Sequence, residues 1–222
     1  MKIVLRFLAL VLFLSSFFSS ANASALYYIL DGSGSMWGRV DSKMKIQVAK
    51  EVMTRLITET PPETDFGLTV YGHLRKGDCS DITELIPLGQ SGRDHAIAAI
   101  NRIKPKGKTP LSKSIEKTVK NIQGREDSST IVLVSDGIET CGGDPCAVTR
   151  ALKESGMKFI LHVVGFDVDK KAAAQLNCIA EAGGGRYFSS SNGDELLAAL
   201  STVQRSVENK VTIEAALPEV MP

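Results

Sequence analysis

Short apolar runs alternate along the chain with stretches in which apolar residues recur every three or four positions. The short runs predict β-strands, and those at 26–30 and 130–134 contain so few polar residues that we expect them to be buried. The spaced residues predict amphipathic helices, the first of which is stopped by Pro61 and Pro62. The predicted strands are 26–30, 66–73, 82–88, 130–134, 159–166 and 186–188, and the predicted helices are 49–57, 94–103, 111–122, 147–155, 172–182 and 195–207.

This alternation predicts an α/β fold. Strands separated by helices favour a mostly parallel sheet covered on both faces. The turn at 76–78 lets the strands beside it pair as a hairpin, which adds one antiparallel edge strand. We therefore expect a doubly wound, three-layer α/β/α architecture with a six-stranded, mostly parallel sheet. Residues 211–217 predict one more strand that has no place in this unit, so we interpret 207–222 as a strand-like extension or as the start of a second module.

The N-terminal residues have the pattern of an export signal. Lys2 and Arg6 precede an apolar run at 8–18, and residues 21–23 form an A-x-A cleavage site. The run is too short for an ordinary membrane span, and an uncleaved N-terminal anchor is the alternative. We expect a signal peptide over 1–23, a folded domain over 24–206, and a periplasmic or secreted mature chain without a membrane span.

The charge of the mature chain is almost balanced. Removing residues 1–23 takes away Lys2 and Arg6 and leaves 24 basic and 25 acidic side chains. Such a balance gives no reason to expect a nucleic-acid partner.

The chain has four cysteines, an even number that favours two disulfides in an exported protein. Free buried thiols and a zinc site are the alternatives, but the spacing between Cys141 and Cys146 is longer than in the usual zinc knuckle, and no histidine lies nearby. Four cysteines allow three pairings, and spacing alone does not choose among them.

The candidate chemistry lies in loops that follow predicted strands. Asp31 ends the first strand and Asp136 follows the strand at 130–134. Ligands in open parallel sheets bind beyond the carboxyl ends of the strands. The hydroxyls of Ser33, Ser35 and Thr109 add neutral oxygens, which together with the two carboxylates suit a hard cation such as Mg²⁺. Because two carboxylates leave such an ion short of negative charge, we expect an open position that accepts an Asp or Glu of a partner protein.

Motifs of enzymes fit less well, so we predict that the chain is not an enzyme. Ser35 stands one place early for a Gly-x-Ser-x-Gly elbow. Trp37 and Arg102 stand where a dinucleotide loop and a P-loop require glycine. A metal-assisted hydrolase is an alternative function, with Glu139 as the nearby candidate base. A structural subunit with a vestigial metal site is the other alternative.

Three segments together resemble the metal-ion-dependent adhesion site of von Willebrand factor type A domains of the bacterial exported type. They are Asp31-Gly-Ser33-Gly-Ser35, Gly107-Lys-Thr109 and Ser135-Asp136-Gly137, and the resemblance covers residues 25–206. It implies that Asp31, Ser33, Ser35, Thr109 and Asp136 hold Mg²⁺, Mn²⁺ or Ca²⁺, directly or through water. It also implies an acidic protein ligand and no catalytic residue.

The resemblance also bears on the cysteines. With the strand order of that family, the pairs Cys79–Cys141 and Cys146–Cys178 are favoured over a local Cys141–Cys146 bridge.

Trp37 lies next to the predicted metal loop. We favour its packing against the scaffold, and the alternative is that it lies exposed and offers apolar contact to a partner.

Overall fold

The computed structural model describes residues 25–61, 64–89, 92–124 and 129–216, with side chains as far as residue 209. These residues form three layers, a central sheet with helices on both faces. The predicted signal peptide at 1–23 lies outside the described residues. The strands are β1 Ala25–Asp31, β2 Arg39–Val40, β3 Lys43–Met44, β4 Asp65–Tyr71, β5 Ile82–Gly89, β6 Ser129–Ser135, β7 Phe159–Phe166 and β8 Gly184–Ser190. The helices are α1 Lys45–Glu59, α2 Arg93–Asn101, α3 Leu111–Asn121, α4 Pro145–Glu154, α5 Lys170–Ala182 and α6 Gly193–Ala216.

The central sheet has six strands in the order β5-β4-β1-β6-β7-β8, whereas β2 and β3 form a small separate hairpin. All neighbours in the large sheet are parallel except β4 and β5, which form the antiparallel edge. The predicted fold class is therefore confirmed. Because the chain builds outwards from β1 first towards β4 and later towards β6, strand order reverses beside β1, where open sheets place their ligand crevice.

Side chains alternate along β1 between two hydrophobic cores. Tyr28 and Leu30 belong to the core beneath α1, α2 and α6, while Tyr27 and Ile29 belong to the core beneath α3 and α5. All four side chains are at most 1% exposed. A strand buried on both faces reads as a continuous apolar run, which explains why β1 was easily predicted.

Polar caps set the starts of two helices more exactly than hydrophobic spacing does. Asp144 Oδ1 accepts a hydrogen bond from the Ala147 amide (3.0 Å), and Asp169 Oδ1 accepts one from the Ala172 amide (2.8 Å). A capping carboxylate satisfies a backbone amide that has no partner within the helix. As a result, α4 and α5 each begin two residues before their predicted starts.

The last helix corrects one prediction. The backbone remains helical from Gly193 to Ala216, so the strand predicted for 211–217 is wrong over 211–216, and residues 217–222 lie outside the described part of the chain. Val211, Thr212 and Ile213 favour strands locally. Extending a helix that has already formed costs little compared with starting a new element, and this outweighs their preference. None of the described helices is both long and apolar enough to cross a bilayer.

Candidate functional site

The predicted site lies at the carboxyl ends of β1 and β6. Asp31 ends β1, and Asp136 directly follows β6. The loop after Asp31 is held on both sides, because the Gly32 amide donates to the Tyr71 carbonyl (2.8 Å) and the Gly34 amide donates to the Gly107 carbonyl (3.1 Å). The loop therefore presents its serines from a fixed backbone.

A chain of hydrogen bonds connects the serines to the second aspartate. Ser33 Oγ lies 2.9 Å from Ser35 Oγ, and Ser35 Oγ donates to Asp136 Oδ1 over 2.5 Å. Ser33 and Asp136 are buried, whereas Ser35 is exposed. Three of the predicted ligands thus form one polar cluster that reaches from the protein interior to the surface.

Three hydrogen bonds fix the carboxylate of Asp31 next to the cluster. Its Oδ1 accepts a hydrogen bond from the Ser33 amide (2.7 Å), and its Oδ2 accepts bonds from Tyr71 Oη (2.6 Å) and Ser135 Oγ (2.7 Å). Burial and the negative charge of Asp31 raise the pKa of Tyr71 well above its usual value, so the phenol stays protonated as a donor. Tyr71 and Ser135 were not predicted, because only strand pairing brings them to Asp31.

The surroundings of Asp136 disfavour the charged form of its carboxyl group. Burial, and then the negative charge of Asp31, raise the pKa of Asp136 to about 6, although the hydrogen bond from Ser35 and the positive charge of Lys45 act in the opposite direction. No described residue donates a hydrogen bond of good geometry to Asp136 Oδ2, which is fully buried. The Lys45 ammonium lies 3.3 Å from this oxygen as an ion-pair partner. Two buried carboxylates are therefore compensated by one lysine, which sequence analysis missed.

Backbone contacts fix the loop that carries Thr109. Its amide donates to Thr140 Oγ1 (2.7 Å), and its carbonyl accepts from the Thr140 amide (3.0 Å). Gly107, two residues earlier, forms a parallel bridge with Ser33. Within the described part of the chain, no hydrogen bond joins the Thr109 side chain to Asp31, Ser33 or Ser35.

Gly72 lets three loops of the site pack backbone against backbone. It has a φ of +67°, and a Cβ there would lie 2.5 Å from the Lys108 carbonyl oxygen and 3.0 Å from Ser33 Cα. Its own carbonyl accepts hydrogen bonds from the amides of Lys106 (3.0 Å) and Gly107 (2.8 Å). A side chain at this position would separate the loop that carries the serines from the loop that carries Thr109.

Two disulfides brace the region around the second aspartate. Cys79 pairs with Cys141, and Cys146 pairs with Cys178, each with Cα atoms 5.6 Å apart. The pairing favoured by the family strand order is confirmed. The first bridge joins the β4–β5 connection to the loop after Asp136, and the second joins α4 to α5.

Glu139, the candidate base of the hydrolase alternative, has a structural role. Its Oε2 accepts a hydrogen bond from the Ser112 amide at the start of α3 (2.9 Å), and its Oε1 accepts one from the Cys141 amide (2.6 Å). Both carboxylate oxygens of Glu139 therefore hold the backbone of this region in place.

Trp37 lies exposed beside the site. Its side chain is 49% exposed, and its Nε1 donates a hydrogen bond to the Pro105 carbonyl (2.8 Å). Trp37 thus contacts the scaffold and is also half exposed, so the favoured expectation of packing is met only in part, and its contact with a partner stays a prediction.

Comparison with known proteins agrees with this architecture. The model of the von Willebrand factor type A domain family matches residues 25–204. The Bacillus subtilis (strain 168) protein YwmD is 31% identical over 176 residues, which cover 75% of this chain and 79% of YwmD. The fold is similar to that of the PilB minor pilin from Streptococcus sanguinis, with a TM-score of 0.71, 14% identity, and coverage of 88% of this chain and 63% of the pilin.

A second solved structure with a similar fold is mussel byssus proximal thread matrix protein 1 with a zinc-occupied MIDAS motif. Its TM-score is 0.61 at 19% identity, with coverage of 84% of this chain and 45% of that chain. The chain thus spans less than two thirds of the pilin and of the thread protein, and at these identities the likeness concerns the fold alone. Because the family model covers most of its length, the chain belongs to the von Willebrand factor type A domain family.

Proposed function

We propose that this chain is a protein-binding module, not an enzyme, that uses a divalent cation to bind an acidic residue of its partner. In this proposal Ser33 and Ser35 contact the ion together with one or more of Asp31, Thr109 and Asp136, and the remaining ligands act through water. The observation that carries the proposal is the cluster of two buried carboxylates and two hydroxyls, in which the buried Asp136 Oδ2 is paired, among the described residues, with the Lys45 ammonium at 3.3 Å.

The donor set fits a hard ion. Carboxylate and hydroxyl oxygens are the ligands of Mg²⁺, Mn²⁺ and Ca²⁺, whereas sulfur and imidazole favour other metals. The described residues contain no group of three or more His, Cys, Asp or Glu side chains that could hold a metal by themselves. An ion here would therefore depend on hydroxyls, water and an outside ligand.

The chemistry of the ion explains why that outside ligand is an anion, since hard divalent ions prefer carboxylate oxygens. Asp31 and Asp136 balance the charge of the ion, while the Lys45 ammonium, 3.3 Å from Asp136 Oδ2, also pairs with Asp167 Oδ2 at 3.0 Å. A carboxylate from a partner would fill the open position in place of neutral water. The ion supplies the Lewis acidity, and the residues of this chain hold it and orient the incoming group.

We also propose that residues 1–23 are a signal peptide and that the mature protein acts in the periplasm or outside the cell. Two disulfides support this location, because disulfides persist in oxidising compartments. The similar fold of a minor pilin supports a role in binding other proteins. The engaged oxygens of Glu139 weigh against a hydrolase.

The test is a calorimetric titration of EDTA-stripped mature protein with Mn²⁺. We expect saturable binding of one ion, and a loss of at least about tenfold in affinity for Ser35→Ala, since one direct ligand is removed. Ser42→Ala, on the exposed turn between β2 and β3, is the matched control and should bind like the wild type. A folded wild type that takes up no divalent ion at millimolar concentration leaves only a vestigial site and refutes the proposal.

A further inference from the structure

Two large hydrophobic side chains are exposed, and each lies in a loop that contacts residues 105–107 next to the candidate metal site. Among the described residues, the exposed large hydrophobics are Trp37, at 49%, and Leu74, at 51%. Trp37 follows the serine loop by two positions, and Leu74 follows the end of β4 by three. Exposed apolar groups that lie together next to a binding site indicate contact with a partner.

Hydrogen bonds connect the loops of both residues to the same backbone segment, residues 105–107. Trp37 Nε1 donates to the Pro105 carbonyl (2.8 Å), and Lys106 Nζ donates to the Leu74 carbonyl (3.3 Å). The Lys106 amide also lies within hydrogen-bonding distance of the Gly32 and Gly72 carbonyls (3.2 and 3.0 Å). Residues 105–107 therefore tie the serine loop to the loop after β4.

A buried carboxylate fixes the backbone at Leu74. Asp81 is fully buried, and its Oδ2 accepts hydrogen bonds from the amides of Leu74 (2.7 Å) and Arg75 (2.8 Å). The Cys79–Cys141 bridge constrains the same loop. Because the loop is ordered before a partner arrives, binding to it costs little conformational entropy.

This border of the site is also basic. Arg75, Lys76, Lys106 and Lys108 are exposed, and their nearest acid along the chain, the half-buried Asp78, pairs with Arg75 (2.8 Å). We call Trp37, Leu74 and these four cations the basic–apolar edge.

The opposite border of the site differs in charge. Exposed Asp144, Asp167 and Asp169 lie there, together with Lys170 and Lys171. Among the described residues around the site, only those of the basic–apolar edge combine exposed large apolar side chains with an excess of positive charge.

We propose that the basic–apolar edge is the docking surface for an acidic, extended segment of a partner protein. One carboxylate of that segment completes the ion, an adjacent apolar side chain packs between Trp37 and Leu74, and further carboxylates face Lys76 and Lys108. This rests on the proposed function. A single metal–carboxylate bond does not discriminate among acidic proteins, whereas an aromatic anchor and complementary charges do.

The test measures binding of a fluorescein-labelled peptide, GGDFGEEEGG, to the mature protein by fluorescence anisotropy in Mg²⁺ and in EDTA. We expect binding only in Mg²⁺.

The Trp37→Ser/Leu74→Ser double variant should weaken peptide binding by about tenfold, because the apolar anchor is lost. Lys76→Glu/Lys108→Glu should weaken it as much and reduce its salt dependence. Lys120→Glu, at the far end of α3 from the site, is the matched control and should bind like the wild type.

Two measurements separate this inference from the proposed function. The Trp37→Ser/Leu74→Ser variant should keep wild-type Mn²⁺ affinity in calorimetry and should still unfold in a cooperative thermal transition, although the lost hydrogen bond from Trp37 to Pro105 lowers its midpoint. Mg²⁺-dependent binding that is equal in all variants overturns the docking surface but leaves the metal-dependent function standing. Peptide binding that EDTA does not change refutes the metal-dependent function, even if the Trp37→Ser/Leu74→Ser or Lys76→Glu/Lys108→Glu variant weakens that binding. Absence of peptide binding up to millimolar concentration overturns the docking surface, as does equally tight binding of a twelve-residue thymidine oligonucleotide.

Discussion

The side-chain ammonium of Lys45 lies 3.3 Å from Asp136 Oδ2, and this buried pair connects the first turn of α1 to the candidate site. The same ammonium contacts Asp167 twice, at 3.0 Å from Oδ2 and 2.9 Å from the carbonyl oxygen. Asp167 adopts a φ of 51°, a left-handed conformation that is costly for a residue with a Cβ. Lys45 therefore holds together the segments that follow β6 and β7, and it carries the positive charge of the site when no metal is bound.

Replacing this lysine should make the protein depend on metal. In EDTA we expect Lys45→Met to lower the free energy of unfolding by about 3 kcal/mol, because it leaves a buried carboxylate without its partner. Mn²⁺ should recover much of this loss by taking over the charge of Asp136. Urea unfolding with and without Mn²⁺ measures both effects.

The matched control for this prediction is Lys43→Met. Lys43 pairs with Glu51 where both side chains are more than half exposed, and such pairs contribute about 0–1 kcal/mol. An equal loss of stability for Lys45→Met in EDTA and in Mn²⁺ would show that the lysine and the ion do not share Asp136.

The two disulfides should differ in their effect on metal binding. Removing either bridge by a Cys→Ser double substitution should lower the free energy of unfolding by about 2–4 kcal/mol, since each closes a long loop. Only the loss of Cys79–Cys141 should also weaken Mn²⁺ binding, because that bridge anchors the loop that follows Asp136. Calorimetry on both variants compares them directly, and equal Mn²⁺ affinity in the two would contradict this assignment.

Gly72 should tolerate no side chain. Gly72→Ala combines a φ of +67° with a Cβ 2.5 Å from the Lys108 carbonyl oxygen, so we expect a loss of stability well above the roughly 1–2 kcal/mol cost of the left-handed conformation alone. Gly77→Ala is the control, since Gly77 has a φ of +76° but nothing within 4 Å of the added carbon. Thermal unfolding of both variants separates steric from conformational cost, and equal losses would mean that the loops can move apart freely.

Acid should weaken the fold through His73. Burial lowers the pKa of this imidazole, although the charge of Asp81 acts in the opposite direction. A histidine with a lower pKa in the folded state binds fewer protons there, so its contribution to the free energy of unfolding falls as the pH drops below about 6.5. We expect His73→Gln to remove this contribution, which changes the slope of the free energy of unfolding against pH by at most about 1.4 kcal/mol per pH unit.

Urea unfolding in EDTA between pH 5 and pH 7.5 measures this slope. Asp136 acts in the opposite sense, because its raised pKa of about 6 favours the folded state in acid. Both the wild type and the variant contain Asp136, so its contribution cancels in their difference. His95→Gln, on the exposed face of α2, should keep the wild-type slope. An unchanged slope for His73→Gln would remove this histidine as the cause.

Most of the fold was predictable because hydrophobic spacing is a local property. The six strands of the sheet and the six helices follow from it, with shifts at their ends where Asp144 and Asp169 act as caps. The strand predicted after α6 failed for the complementary reason. The strand preference of Val211, Thr212 and Ile213 is a property of these residues alone, and it does not include the effect of the helix that precedes them.

By itself, the sequence determined the elements, the fold class and the positions of Asp31, Ser33, Ser35 and Asp136 at strand ends, because each depends on neighbours close along the chain. Only the tertiary structure decided what surrounds those residues. Tyr71 and Ser135 reach Asp31 across 40 and 104 positions, and Lys45 reaches the Asp167 carbonyl across 122. Contacts at such separations arise from strand order and helix packing, and no local spacing encodes which buried side chain will compensate which charge.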